Sequence, residues 1–199
     1  MNVRLLKNWG WNSGIVHEGE YHINTYALSV DLLTATEDHR EQNIAYDRMR
    51  HWITEVLTDA VMIEQGHELV DAFLSTGQRV IEMPTGPADQ LVGIMLYRKL
   101  NAIMEGRIIV TDISVSSDLG DHMVYLHSAG DAEGPFADAG WWSDSRAVFS
   151  SRRPRKNAKV ISMSRQSEWI DLGLDWNEGP RSNDPNTVVY AEFPKNENK

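Results

Sequence analysis

The chain has 199 residues, of which 41% are hydrophobic and 24% are charged, a composition that indicates a folded globular protein and excludes a disordered one. It contains no cysteine, so disulfides, thiolate metal sites and a cysteine nucleophile are excluded. Nineteen basic residues against 29 acidic residues give a formal net charge of −10, which disfavours binding to nucleic acid and to anionic membranes.

The hydropathy pattern gives an expectation for location. No apolar run approaches the length that spans a membrane, and the first residues hold no apolar stretch of signal-peptide length. We therefore expect a cytoplasmic protein without a membrane partner. The length predicts one domain followed by a tail.

Two extended segments open the chain. Residues 3–16 mix tryptophans with glycine and asparagine, which is typical of an irregular strand or loop leading into a hairpin. Residues 21–33 are rich in β-formers and predict a strand. His22 and Asn24 share a face of this strand with large apolar residues. We expect the first end of that face to line a cleft and the far end to pack into the core.

A helix is predicted next. Asp38 followed three residues later by Glu41 has the form of a capping box, and apolar residues recur at helical spacing until Thr58. Residues 59–76 predict a short strand at 60–63 and then an irregular excursion.

The stretch 83–117 predicts a second helix, opened by Pro87 and closed by Gly106, that leads directly into a strand. In the strand, Ile109, Ile113 and Val115 alternate with more polar neighbours, which predicts that these three side chains face the helices. Residues 122–128 resume the alternation and predict a closing hairpin. The apolar face of the helix consists of Leu91, Val92, Met95, Leu96, Leu100 and Ile103.

From residue 129 onward the composition shifts to small and polar residues with four tryptophans. Such large aromatic surfaces are costly to expose, so we expect this part to pack on its own body or on a neighbouring subunit. We divide the chain into a domain at 1–128 and a C-terminal extension at 129–199, with one strand predicted at 187–193. Residues 152–159 form a basic cluster that suits either a solvated loop or contact with an acidic or phosphate-bearing partner. The tryptophans of the extension are Trp141, Trp142, Trp169 and Trp176.

The order of hairpin, helix, excursion, helix and hairpin resembles the tunnelling fold of 6-pyruvoyltetrahydropterin synthase and the 6-carboxytetrahydropterin synthases. The run HINTY at 22–26 is similar to the HGHNY-like zinc-binding run of that family. The PT at 84–85 with DQL at 89–91 is similar to its PT-x-EN-like helix start. The resemblance implies an α+β fold in which an antiparallel sheet carries two helices on one face, in the order ββααββ. It also implies a homo-oligomer, since such sheets join their edges into a barrel.

The resemblance also implies a site, from which this sequence departs. The family places three histidines on zinc, and only His22 matches, because Asn24 stands at the second position. His17 is close enough in a hairpin to substitute, so His17 and His22 are the weak metal candidates, against ordinary surface or packed histidines. No cysteine is present for the catalytic position. Ser116 and Ser117 replace the Glu-Thr pair of the later strand.

A carboxylate remains as the candidate anchor for a planar ligand. Its two oxygens can accept two parallel hydrogen bonds from one edge of a pterin or purine, and Asp89 is the best placed residue, with Gln90 beside it. An acidic residue in the first helical turn is also favoured by the helix dipole without any ligand.

Two functions follow as expectations. The first is a protein that binds a pterin-type or purine-type heterocycle with lost or altered catalysis, at Asp89, Gln90, His22, Asn24, Ser116 and Ser117. The alternative is a non-catalytic oligomeric protein that uses the fold for assembly. Enzymatic activity stays open, no cofactor is expected, and zinc is the cofactor that the resemblance would allow.

Overall fold

The structure is a computed structural model that describes residues 3–17, 19–147 and 168–176. Within these ranges it contains six strands and three α-helices, so the expected α+β class is confirmed. The strands are β1 (Arg4–His17), β2 (Glu20–Thr34), β3 (Val61–Glu64), β4 (Val80–Met83), β5 (Ile108–Ser117) and β6 (Tyr125–Ser128). The helices are α1 (His39–His51), α2 (Val70–Ser75) and α3 (Asp89–Met104).

The strands form one sheet in the order β4-β3-β1-β2-β5-β6. The pairs β1–β2, β2–β5 and β5–β6 are antiparallel, whereas β1–β3 and β3–β4 are parallel. The sheet is therefore mixed, and the expectation of an antiparallel sheet is met only by β1, β2, β5 and β6. The excursion after α1 supplies two strands of its own, and α2 provides the crossover that two parallel neighbours require.

The first helix begins at the predicted residue but with a different capping pattern. The Asp38 carboxylate accepts from the backbone N–H of Arg40 at 2.8 Å and of Glu41 at 3.4 Å. The Asp38 N–H donates to the Thr36 hydroxyl instead of to Glu41, so the reciprocal half of the capping box is not formed. The helix then widens into a π-helical segment, Trp52–Leu57, and ends before Thr58 as predicted.

Strand β5 contains an irregularity that changes which side chains face the helices. Asp31 pairs with Asp112 and Leu32 pairs with Val110, so Thr111 is the extra residue of a β-bulge. Ile113 and Val115 are buried as predicted, but Val110 is buried in place of Ile109, which is exposed. The prediction for Ile109 is wrong because a single inserted residue moves the earlier part of a strand to the other face.

Helices α1 and α3 cover one face of the sheet and form the main core with it. The short α2 covers the other face near the β3–β4 edge, where the Tyr21 ring contacts the Phe73 ring with centroids 5.5 Å apart. No other described helix covers this second face, which includes the exposed side chains of Leu6 and Ile23. The apolar residues under α2 are Val16, Val61, Ile63, Val70 and Val80.

Two buried cations hold the described parts of the C-terminal extension. Lys99 of α3 is fully buried, and its ammonium donates to the backbone carbonyls of Trp141, Asp144 and Arg146 at 3.3, 2.6 and 3.2 Å. These contacts fix residues 141–146, which include the buried Trp142.

Arg48 of α1 is the second cation. Its Nε donates to the carbonyl of Leu174 at 2.8 Å, and its guanidinium lies 3.7 Å from the ring centroid of Trp176 and 4.9 Å from that of Trp169. A second guanidinium nitrogen donates to the Glu105 carboxylate at 3.0 Å. The segment 168–176 therefore packs against α1 and the end of α3, the two helices that form the main core with the sheet.

The described residues contain no helix long and apolar enough to cross a membrane. The strand predicted at 187–193 and the basic cluster at 152–159 lie outside the described residues. The division at residue 128 stays a prediction.

Candidate functional site

The Asp89 carboxylate lies at the first residue of α3 and is only 7% exposed. The Ser117 hydroxyl at the end of β5 lies 2.8 Å from both carboxylate oxygens. The helix N-terminus favours a negative charge at this position. A carboxylate can accept about four hydrogen bonds. In the described part of the chain one hydroxyl group donates to it, so most of its acceptor capacity is unused.

The turn after β5 closes over this carboxylate and depends on a glycine. The Gly120 N–H donates to the Ser117 hydroxyl at 3.1 Å. A Cβ atom added to Gly120 would lie 2.3 Å from Asp89 Oδ2, so either the turn or the Asp89 side chain would have to shift. Asp121 and His122, which follow, both adopt the left-handed backbone region, at φ 53° and 56°. Such residues carry strain, so this turn is held by its surroundings.

Strand β2 contributes two buried polar side chains to the same place. Asn24 is 1% exposed, and its Oδ1 accepts from the backbone N–H of Leu119 at 3.1 Å. The Tyr26 ring stacks on Trp11 with centroids 4.7 Å apart. The Tyr26 hydroxyl is buried beside Asn24 and Asp89, and no group in the described ranges reaches it with good hydrogen-bond geometry. Burial raises the pKa of this hydroxyl, the Asn24 side chain opposes that rise, and the Asp89 charge adds to it.

The sequence-predicted residues thus divide into two groups. Asp89, Ser117 and Asn24 come together around one turn. Ser116 lies on the opposite face of the sheet, because it pairs with Ala27 while Ser117 pairs with Tyr26.

Three further candidates lie elsewhere. Gln90 is exposed and lines a neighbouring cleft. His22 is partly exposed, with its Nε2 3.9 Å from a Glu20 carboxylate oxygen. His17 is exposed at the end of β1, in register with Glu20. Within residues 3–17, 19–147 and 168–176, no group of three or more His, Asp or Glu side chains is placed to hold a metal ion.

Sequence reasoning missed Tyr26 and Gly120 as members of this site. Tyr26 had a usable signal, because it follows Asn24 by two residues on a strand and therefore shares its face. Gly120 carries no such signal. Its contact with Asp89 joins positions 31 residues apart and depends on how the turn closes.

A cleft of about 290 Å³ lies beside this polar cluster, between α3 and β6, and we call it the α3–β6 cleft. Its floor includes Ile113, and its wall on β6 includes His127, which sequence reasoning placed on no site. The cleft is lined by Gln90, Gly93, Ile94, Ile113, Tyr125, Leu126, His127, Asp131 and Ala132.

No protein-family model matches the chain, and no curated protein matches it. A similar solved structure is that of an uncharacterized protein, WS1659, from Wolinella succinogenes. The two chains are 11% identical with a TM-score of 0.47, and the alignment covers 65% of this chain and 99% of the other. The match assigns no activity to this chain.

Proposed function

We propose that this protein binds a small planar nitrogen heterocycle of the pterin or purine type, with the Asp89 carboxylate as its anchor. The observation that carries the proposal is that, in the described part of the chain, the buried Asp89 carboxylate accepts from one hydroxyl and lies beside the buried Tyr26 hydroxyl, which only the Asn24 side chain approaches and with poor hydrogen-bond geometry. Buried polar groups are normally hydrogen-bonded, so two under-used groups side by side favour a ligand that completes them.

The chemistry of the two groups fits one edge of such a ring. A carboxylate accepts two parallel hydrogen bonds from adjacent N–H groups, and this pairing is stronger than a bond between neutral groups. The Tyr26 hydroxyl can donate to a ring nitrogen or carbonyl on the same edge. The turn at residues 118–122 covers the carboxylate, so a ligand enters when this turn opens. Its two left-handed residues, Asp121 and His122, make the closed turn costly to hold, which favours opening.

The proposal keeps the relation to the tunnelling fold that the sequence motifs suggest. In that interpretation the ββααββ order is completed by β1, β2, α1, α3, β5 and β6, and the β3-α2-β4 unit is an insertion. The catalysis of the resembled enzymes is lost or altered, since their cysteine and two of their three zinc-binding histidines have no counterpart in this sequence.

A thermal-shift experiment tests the proposal. A ligand that binds the folded state raises the melting temperature. We expect pterin or guanine to raise that of the wild type and not that of Asp89→Asn. Asp118→Asn is the matched control, because Asp118 lies in the same turn but its side chain is exposed. If neither compound stabilises the wild type, or if both stabilise Asp89→Asn equally, Asp89 is not the anchor.

Assembly is the second candidate function, and one observation favours it. The segment that leads into the edge strand β6 exposes several apolar side chains, and the Leu126 side chain on β6 is 77% exposed. An exposed edge strand with apolar residues is a template for pairing with another chain. We propose a homo-oligomer joined at this edge. The exposed apolar residues of the segment that leads into β6 are Leu119, Met123 and Val124.

Light scattering on the full chain tests the assembly. Leu126→Lys places a charge on the edge and is expected to reduce the mass to that of the monomer. Leu74→Lys on α2 is the control. Leu74 is also exposed, but α2 lies near β3 and β4, at the edge of the sheet opposite to β6. An unchanged mass for Leu126→Lys would rule out an interface at this edge.

A further inference from the structure

The α3–β6 cleft has the form of a small-molecule site with walls from three elements. Gly93 of α3 lines the cleft without a side chain, and a Cβ atom added there would lie 3.5 Å from Val115. The loop after β6 closes one side, and it is fixed by an ion pair between Arg98 and Glu133 at 3.1 Å. The volume of about 290 Å³ is at the lower end of the range of ligand pockets, which start at roughly 300 Å³.

His127 is a mostly buried polar side chain in the lining of this cleft. The side chain is 7% exposed, and its Nε2 atom is buried without a hydrogen-bond partner in the described part of the chain. The imidazole meets the Tyr97 ring edge-on with centroids 4.7 Å apart, which holds its orientation. An unpaired buried nitrogen costs free energy, and a ligand atom bonded to it would recover that cost.

The other lining groups restrict the charge of a ligand. The lining contains no Lys or Arg, and the nearby Arg98 is already paired with Glu133. Asp131 adds a carboxylate, of which Oδ2 accepts from the Ser128 N–H at 2.8 Å. Anionic ligands are therefore disfavoured. The Gln90 amide offers both a donor and an acceptor, and the lining also includes the apolar side chains of Ile94, Ile113 and Leu126.

We propose that the α3–β6 cleft is a second binding site, distinct from Asp89, for an uncharged aromatic heterocycle of one or two rings that hydrogen-bonds to His127 Nε2. The apolar walls take the faces of the ring, and His127 and Gln90 bind polar atoms on its edge. The site does not depend on the proposed anchor, because Asp89 points away from it toward Ser117.

Titration of the full-length protein with benzimidazole at mildly alkaline pH tests this site. We expect binding to the wild type and at least tenfold weaker binding to His127→Phe, which keeps a ring but removes both nitrogens. Benzimidazole carboxylate, of the same shape but negatively charged, is expected to bind at least tenfold more weakly than benzimidazole. Asp89→Asn is expected to leave the benzimidazole affinity unchanged within twofold, which separates this site from the proposed anchor.

Gly93→Ala provides a second variant that does not remove a buried polar group. Its Cβ would lie 3.5 Å from Val115 in ordinary contact, so we expect the protein to fold, and because Gly93 lines the cleft we expect the added methyl group to narrow it. We expect weaker benzimidazole binding with no fall in melting temperature. Nitrogen NMR of the histidine rings should also show the His127 resonance moving on titration, identified by its absence in His127→Phe. The proposal would be overturned if benzimidazole did not bind the wild type. It would also be overturned if benzimidazole bound His127→Phe and Gly93→Ala with the same affinity as the wild type.

Discussion

Lys99 offers a test of how the C-terminal extension is held, because its charge is buried against backbone carbonyls. Burial lowers the pKa of this ammonium from 10.5 to about 8; the negative charge of Asp144 opposes the shift and the positive charge of Arg146 adds to it. The unfolded chain therefore binds a proton at Lys99 more tightly than the folded protein does. Stability must rise with pH wherever the two states differ in protonation, which is the interval from about 8 to about 10.5.

The size of the effect follows from the two pKa values. Below about pH 8 the ammonium is charged in both states, and keeping it charged in the folded protein costs about 3 kcal/mol. Between the two pKa values the folded protein has lost this proton while the unfolded chain still holds it, and most of the cost is then removed. We predict that the free energy of unfolding of the wild type rises by about 2 to 3 kcal/mol between about pH 7 and pH 10, relative to a variant without the ammonium.

Urea unfolding of the wild type and Lys99→Met across this pH range measures the difference. Methionine has a similar volume and no charge, so the other titrating groups act equally on both proteins and cancel. If the difference in free energy of unfolding between the two proteins stayed constant from pH 7 to pH 10, the pKa of Lys99 would not be lowered in the folded protein. This result would mean that the carbonyls of Trp141, Asp144 and Arg146 replace the lost hydration of the ammonium in full.

Two further predictions concern close packing and the segment 168–176. Gly120→Ala should lower the free energy of unfolding by about 1 to 3 kcal/mol in urea, because its Cβ would overlap Asp89 Oδ2. Gly86→Ala, where no atom lies within 4 Å of the added carbon, should change it little. Arg48→Met should release the segment 168–176, seen as faster proteolysis there and a red shift of tryptophan emission from Trp169. Unchanged proteolysis would show that apolar packing alone holds the segment.

The helix positions could be predicted from the sequence because their signals are local. Asp38 caps α1 through its own neighbouring N–H groups, and α3 begins two residues after Pro87 and ends against the left-handed Glu105 and Gly106. Each signal acts within one turn of the chain, so it does not depend on the rest of the fold.

Features that depend on pairing between distant strands could not be predicted. The bulge at Thr111 is visible only when β5 is aligned with β2, and this is why Ile109 was assigned to the wrong face. The parallel pairing of β3 with β1 likewise depends on where a four-residue strand docks, since either direction would bury its apolar side chains.

The candidate site was predictable in part for the same reason. Periodicity placed Asn24 on the helix-facing side of β2, and the helix start placed Asp89, but neither shows that they share a turn. Ser116 and Ser117 could not be separated before the register was known. That no described group bonds to His127 Nε2 is a property of packing, which no sequence pattern reports.

The affinity of one ligand for matched variants is the test of the proposed role of Asp89 as the anchor of a planar heterocycle. Isothermal titration calorimetry should compare the wild type with Asp89→Asn and Asp118→Asn, using the pterin or guanine that stabilises the wild type. We predict at least tenfold weaker binding to Asp89→Asn, which is about 1.4 kcal/mol, and a change of less than twofold for Asp118→Asn. Equal affinity of the wild type and Asp89→Asn would contradict the account.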